Sequence, residues 1–416
     1  MSITISHPTG VLKGRIDIPL SKSESNRILI LQALSKGKIK VDASGLSDAC
    51  DTRLLQAALN SDSVEINIED AGTAMRFLTA YYCATGQHKI LTGSERMQER
   101  PIGILVSALR DIGFNIQYLQ NEGFPPIEIM PTDLSKLKNE VSIAGNVSSQ
   151  YISALMMIAP VLHDGLTIHF TTALSSKPYI NLTRELMLKA GIESVVTENT
   201  IEISHQSFKE TKIESGADWS AASYWFSIAA LAKDAEILLS KLSLETFQGD
   251  KKITEWCKYF GINAKQTSEG LSLYSENHNN HINHGLHFDF TDYPDLAQTV
   301  IVLCAAKNIK ASFSGLESLR IKETDRIVAL QNELLKLGVQ LTESDKGKFE
   351  LSGTFTMSHQ TIKTYNDHRM AMAFAPLAVL GEISIENPEV VGKSYPSFWE
   401  EMKKVGFDIV YRHNLK

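Results

Sequence analysis

The sequence predicts an α/β protein (α+β in the looser sense) of two lobes, and three observations carry that prediction. The chain has 416 residues, which at about 100–200 residues per domain asks for two domains or three. Two kinds of helical segment alternate along it, each recurring at intervals of about 70 residues. Short apolar segments of strand composition stand between them. Six such units fill the chain, and three to a lobe is an ordinary domain size.

The first helix type is amphipathic and ends in Gly followed by an apolar residue. It reads LVSALRDIGF (Gly113), RELMLKAGI (Gly191), TEWCKYFGI (Gly261), LQNELLKLGV (Gly338) and WEEMKKVGF (Gly406), with glycines 78, 70, 77 and 68 residues apart. A Gly there suits the left-handed residue that closes a helix, and a strand-like segment usually follows.

The second type is apolar nearly all round, with a small or polar first turn. It starts at Ser21, Gly72, Ser148, Asp218, Asp295 and Asp367, and the last five starts lie 76, 70, 77 and 72 residues apart. A helix apolar on every side is buried. KIKVDAS, HKILTGS, GLTIHF, AEILLS and IKASFSG supply strands. Helix N-termini offer unpaired N–H groups and partial positive charge, which bind anions. Capping alone also explains a polar first turn, and both readings stand at this point.

Composition excludes several classes. Forty-one Lys+Arg against 48 Asp+Glu leave a net charge of −7, which argues against a broad nucleic-acid surface. Cys50, Cys83, Cys257 and Cys304 form no CxxC pair, so neither a zinc knuckle nor a disulfide framework is expected, and a reducing cytoplasm fits. No basic region followed by an apolar stretch opens the chain, so no signal peptide is expected. The longest apolar run, Met370 to Leu380, contains Pro376 and falls short of the roughly 20 residues that span a bilayer.

The candidate chemistry sits at helix starts. Ser21 to Arg27 (SKSESNR) sets Lys22, Ser23 and Arg27 together, with Ser23 and Arg27 four residues apart on one face. At Asp70 to Arg76, Gly72 lets a ligand approach the backbone. Arg100 precedes Pro101, read as a helix opener. Ser148, Ser149 and Gln150 offer three hydrogen-bonding side chains, as does the SKPY run from Ser176. Asp295 heads the most apolar helix. Lys322, Glu323 and Arg326 form a charge-dense run expected on one helix face. Asn366 to Arg369 (NDHR) abuts the longest apolar segment, and four polar residues set there read as functional. Gly392-Lys393-Ser394 is no P-loop, because Asn387 stands where that motif needs Gly. His278, His281, His284 and His287 recur every third residue without a Cys or carboxylate in step, a weak case for a metal. HExxH, GxSxG and GxGxxG are absent.

Taken in order, the runs SKSESNR (21–27), AGTAMR (71–76), RMQERPIG (96–103), SSQ (148–150), SKPY (176–179), PD (294–295), KETDR (322–326), NDHRMAM (366–372) and GKSYPSF (392–398) resemble the enolpyruvyl transferase family, specifically its 5-enolpyruvylshikimate-3-phosphate (EPSP) synthase branch. Each motif alone is weak; the ordered set spans nearly the whole chain. The resemblance implies a two-lobed inside-out α/β barrel of six βαβαββ repeats, three per lobe. The lobes are expected at 1–20 plus 217–416 and at 21–216. It also implies transfer of the enolpyruvyl group of phosphoenolpyruvate to the 5-hydroxyl of shikimate 3-phosphate, releasing phosphate, with no metal or organic cofactor, in a cytoplasmic monomer without nucleic-acid or membrane partners.

By the same resemblance, Lys22, Ser23, Arg27, Ser148, Ser149, Gln150, Ser176, Asp295 and Lys322 hold shikimate 3-phosphate. Lys22, Gly72, Arg100, Gln150, Arg326, Arg369 and Lys393 hold phosphoenolpyruvate, where the planar arginine fork suits carboxylate and phosphate. Asp295 is implied as base on the hydroxyl and Glu323 as proton donor to the methylene, with Lys22 sharing proton transfer. The motifs are divided between the lobes, which implies closure on substrate. Glyphosate is implied to take the phosphoenolpyruvate site, with its phosphonate at Gly72. Phe77, Ser318 and Gly392 depart from residues common in the family (Pro, Asn and Cys), which leaves any contact by Ser318 open. Two other readings remain: the sister UDP-N-acetylglucosamine enolpyruvyl transferases, whose loop Cys is missing between Leu91 and Gly103, and a non-catalytic binding protein on the same fold.

Overall fold

The structure, a computed structural model, describes residues 1–275 and 285–412. Three of the four recurrent histidines, His278, His281 and His284, lie outside the described residues. The chain divides into two units, Leu20–Ser215 and the pair Met1–Pro19 with Gly216–Lys416.

One supersecondary plan repeats in both. Two parallel strands are joined through a buried helix; a second helix follows, and an antiparallel hairpin completes the sheet. In the unit Leu20–Ser215, Glu65–Asn67 lies parallel to Lys89–Thr92 with helix Gly72–Thr85 between them. Helix Gly103–Ile112 then leads to the hairpin strands Asn115–Tyr118 and Ile127–Met130. Glu140–Ile143, helix Ser149–Ile158, Leu166–Phe170, helix Lys177–Lys189 and the strands Val195–Val196 and Thr200–Ile203 repeat the plan. A reduced version pairs Ile39–Lys40 with Thr211–Lys212, in parallel, beside helices Lys22–Leu34 and Cys50–Leu59.

The other unit has three more. Val11–Asp17 runs parallel to Asp234–Ser240, which follows helix Trp219–Leu231. Leu286–Asp289 and Ala311–Ser314 flank helix Ala297–Ala306, with helix Arg326–Leu335 on the outward side. In the last, Ile362 bridges in parallel to Ile385, helix His368–Phe374 lies between, and the N-terminal strand Ser2–Ser6 inserts between Ile383–Glu386 and Asp408–Arg412. The first strand of the chain thus completes the last repeat. That makes this unit discontinuous in sequence.

The two helix types behave as their patterns require. Every residue of Ala297–Ala306 and His368–Phe374 is buried, and all but Ser220 of Trp219–Leu231. Each unit has its own core, with three such helices packed on one another at its centre. Gly113, Gly191, Gly261, Gly338 and Gly406, at the ends of the outer helices, all have positive φ, from 78° to 121°. No helix among the described residues is long and apolar enough to cross a membrane.

Candidate functional site

Polar first turns of buried helices gather in each unit. In Leu20–Ser215, Ser21 caps helix Lys22–Leu34 by accepting from the Glu24 amide. Lys22 pairs with the buried Asp51 carboxylate at 2.8 Å. Arg27 is buried at 2 % exposure; its Nε donates to Thr183 Oγ1 (2.7 Å), Nη1 to the Ser23 carbonyl (2.9 Å) and Nη2 to Ser153 Oγ (3.2 Å). Burial pushes its guanidinium down to about 10, against the opposing pull of Tyr179 and Glu24.

The starts of helices Gly72–Thr85 and Ser149–Ile158 lie side by side, with Gln150 Nε2 donating to Thr73 Oγ1 at 3.0 Å. Ser148 stands at its N-cap position but makes no capping bond, and Ser149 is buried. Ser176 precedes helix Lys177–Lys189 with φ 53°, a left-handed backbone that a Ser holds at a cost of about 1–3 kcal/mol. Arg100 donates to the Asp70 carbonyl (3.3 Å) and covers the backbone at Gly72. Its Nε is buried with no hydrogen-bond acceptor among the described residues. Pro101 opens no helix, contrary to expectation; Ile102 does not cap either, and the next helix begins at Gly103. The Pro101 carbonyl is instead taken by Arg76 (3.3 Å) and the Tyr151 hydroxyl (2.6 Å).

In the second unit the centre is Arg326, 2 % exposed and ringed by carboxylates. Its Nε donates to Asp367 Oδ2 at 2.7 Å and its Nη2 to Glu323 Oε2 at 2.8 Å. Its Nη1 lies 3.6 Å from Asp295 Oδ1 and makes no hydrogen bond among the described residues. Burial works to lower the Arg326 pKa, but Asp367, Glu323 and Asp295 together raise it. Arg369 pairs with Asp295 Oδ2 at 3.0 Å and reaches the Asp295 carbonyl and the Tyr224 hydroxyl. Lys393 Nζ donates to the Asn366 carbonyl at 2.8 Å.

Two expectations change here. Lys322 and Arg326 do not share a helix face: Lys322 ends the 3-10 turn Glu317–Ile321, and the helix begins only at Arg326, after Asp325 caps it through the Ile327 and Val328 amides. Asp295 is not the N-cap of its helix either, a position that Leu296 holds. It lies in the 3-10 turn Pro294–Leu296 ahead of the helix, which leaves its carboxylate to the arginines. By contrast Asp218 and Asp367 do cap, through the Ala221 and Arg369 amides.

A family model described as EPSP synthase (3-phosphoshikimate 1-carboxyvinyltransferase) matches residues 48–402. The chain belongs to the EPSP synthase family. The 3-phosphoshikimate 1-carboxyvinyltransferase of Bacteroides fragilis is 46 % identical over 414 residues, 98 % of this chain and 99 % of that one. The protein of the same name from Methanospirillum hungatei is 34 % identical over 422 residues, covering 93 % and 94 %. Among solved structures, EPSP synthase from Acinetobacter baumannii matches with a TM-score of 0.77 at 19 % identity over 99 % of this chain and all of that one. The enolpyruvyl transferase NikO from Streptomyces tendae matches at 0.74, with 12 % identity and 99 % of both chains covered. These two likenesses establish the fold.

For a member of this family, the sequence reading of the site omitted the groups that hold its arginines and lysine. Asp367 was seen as part of NDHR, but not as the partner of Arg326; Asp51 pairs with Lys22, and Thr183 and Ser153 hold Arg27. Asp250, also missed, is a buried carboxylate that accepts from the Ser220 hydroxyl, and burial with the nearby Asp295 charge pushes it up to about 7. Only buried aspartates in otherwise apolar or capping contexts could have signalled these. His287, the described member of the histidine run, is engaged by Ser312 (2.9 Å) and Ser314 (3.2 Å).

Proposed function

We propose that this protein is a 3-phosphoshikimate 1-carboxyvinyltransferase, which joins the enolpyruvyl group of phosphoenolpyruvate to the 5-hydroxyl of shikimate 3-phosphate and releases phosphate, a step on the shikimate route to chorismate. The observation that carries the reading is a shared property of two arginines assigned to the phosphoenolpyruvate anion. Arg100 and Arg326 are both buried, and each keeps a guanidinium nitrogen without a hydrogen-bond acceptor among the described residues. A buried donor without a hydrogen-bond acceptor is costly unless a ligand meets it, and oxyanions meet guanidinium best.

Catalysis then needs one group to take a proton from the attacking hydroxyl and another to give one to the methylene carbon. The new C–O bond forms as the methylene is protonated to a methyl group; the tetrahedral adduct then gives a methyl proton to a base and expels phosphate. Asp295 and Glu323 suit these roles, since each is only partly buried and both stand against Arg326. Lys22 is the third proton-transfer candidate. Lys22, Ser23, Arg27, Ser148, Ser149, Gln150, Ser176, Asp295 and Lys322 hold shikimate 3-phosphate in this reading. Lys22, Gly72, Arg100, Gln150, Arg326, Arg369 and Lys393 hold phosphoenolpyruvate, where glyphosate would compete. The chemistry asks for no metal or organic cofactor. We further propose a cytoplasmic monomer, in keeping with four free thiols of which Cys83, Cys257 and Cys304 are buried.

Phosphorus NMR of the purified protein with both substrates tests the activity. Equal losses of the phosphoenolpyruvate and shikimate 3-phosphate resonances should accompany equal gains in inorganic phosphate and a new monoester. Unchanged spectra over many hours would contradict it.

A further inference from the structure

Helix Arg326–Leu335 grips the segment ahead of Asp367 at two points. At its first residue, Arg326 holds Asp367. Seven residues on, and so on nearly the same face at 3.6 residues per turn, stands Glu333, wholly buried. Its carboxylate accepts from the Tyr365 hydroxyl (2.7 Å), the Lys363 amide (3.0 Å) and the Lys336 ammonium (2.5 Å). Tyr365, held in the second grip, and Asn366, between it and Asp367, have φ of 54° and 56°. Two successive non-glycine residues hold that left-handed form only where the surroundings enforce it.

What emerges from this turn is the anion half-site. The Asn366 carbonyl takes Lys393 at 2.8 Å. Asp367 Oδ1 accepts from the Arg369 amide at 2.8 Å and from Arg326 Nη2 at 3.4 Å, and its Oδ2 accepts from Arg326 Nε at 2.7 Å. We propose that Glu333 is a positioning residue for phosphoenolpyruvate: by tying down Tyr365 it enforces the left-handed turn that sets Lys393, Arg326 and Arg369 in register. The inference rests on the proposed activity for the identity of the anion, and Glu333 itself touches no substrate. Burial and the Glu333 bond push the Tyr365 hydroxyl up to about 12, so it stays a donor across the working range.

Tyr365→Phe, Glu333→Gln and Glu333→Ala test this in the full chain, with phosphoenolpyruvate as calorimetric probe and separate KM measurements for each substrate. Tyr365→Phe removes one oxygen and should weaken phosphoenolpyruvate about tenfold in both Kd and KM, equivalent to about 1.4 kcal/mol. The kcat and the KM for shikimate 3-phosphate should stay within about threefold, below 1 kcal/mol. Glu333→Gln keeps an acceptor for Tyr365 and should lose less than Glu333→Ala. If Glu333→Ala does not fold, Tyr365→Phe decides alone. A lowered melting temperature with wild-type phosphoenolpyruvate affinity, or an equal loss for both substrates, would overturn the positioning role. A wild type that binds phosphoenolpyruvate but never turns over would instead overturn the activity, leaving the calorimetric comparison to judge Glu333.

Discussion

A β-carbon built on Gly72 would stand 2.6 Å from both terminal nitrogens of the Arg100 guanidinium and 2.8 Å from its central carbon. Any side chain there must push Arg100 aside. A methyl at Gly72 meets Arg100 before either phosphoenolpyruvate or glyphosate, the two anions proposed to bind there. Both anions should weaken together, by about one to two decades if the overlap costs about 1–3 kcal/mol. In an Arg100→Ala background the same substitution should cost little, and the double-mutant cycle measures that coupling. Additive effects would contradict it.

Asp295→Asn and Glu323→Gln should each cut kcat by about 10²–10⁴-fold, the usual contribution of a positioned acid or base. Each also removes a negative charge beside Arg326 or Arg369, so phosphoenolpyruvate affinity should hold or improve. Calorimetry beside steady-state rates checks both halves. A variant within a few-fold of wild-type turnover would end that residue's assignment.

Asp367→Asn should destabilise the unit that contains it by about 3 kcal/mol, since it leaves a buried Arg326 short of its nearest carboxylate. The four tryptophans, Trp219, Trp225, Trp256 and Trp399, all lie in the Met1–Pro19/Gly216–Lys416 unit. Their fluorescence during urea unfolding therefore reports the unit that Asp367 belongs to. An unmoved transition would show that Glu323 and Asp295 suffice.

Asp250 gives a pH signature. With its folded pKa pushed up to about 7 by burial and by Asp295, the folded protein keeps a proton that the unfolded chain releases near pH 4. Stability from this group is therefore greatest in acid and falls as pH rises from about 4 to about 7, then levels off. Asp250→Asn lacks that slope. Relative to wild type, its urea midpoint should be higher at pH 8 than at pH 5. Parallel pH profiles would contradict this.

The repeat was legible because burial writes itself into the sequence. The nearly all-apolar run from Ala297 to Ala306 is a central helix, and the Gly at 338 closes an outer one. The reduced repeat at Ile39–Lys40 was legible only as KIKVDAS, since its partner Thr211–Lys212 is two residues long and remote in sequence. The insertion of Ser2–Ser6 into the last sheet left no periodic trace, for a strand's partner is not encoded in its own alternation. At the site, residues clustered in one run, such as Lys22 to Arg27, stood out. Groups that act through distant pairing, such as Asp51 and Glu333, did not, and Asp367 stood out within NDHR but not as the partner of Arg326, because a buried carboxylate looks the same in sequence as a capping one.

Initial rates of phosphate release from phosphoenolpyruvate, with shikimate 3-phosphate and with UDP-N-acetylglucosamine as alternative acceptors, bear most directly on the account. Saturable release is expected with shikimate 3-phosphate, slowed about 10²–10⁴-fold by Asp295→Asn, and none above background with the nucleotide sugar. Release with UDP-N-acetylglucosamine alone, or with neither acceptor, would contradict it.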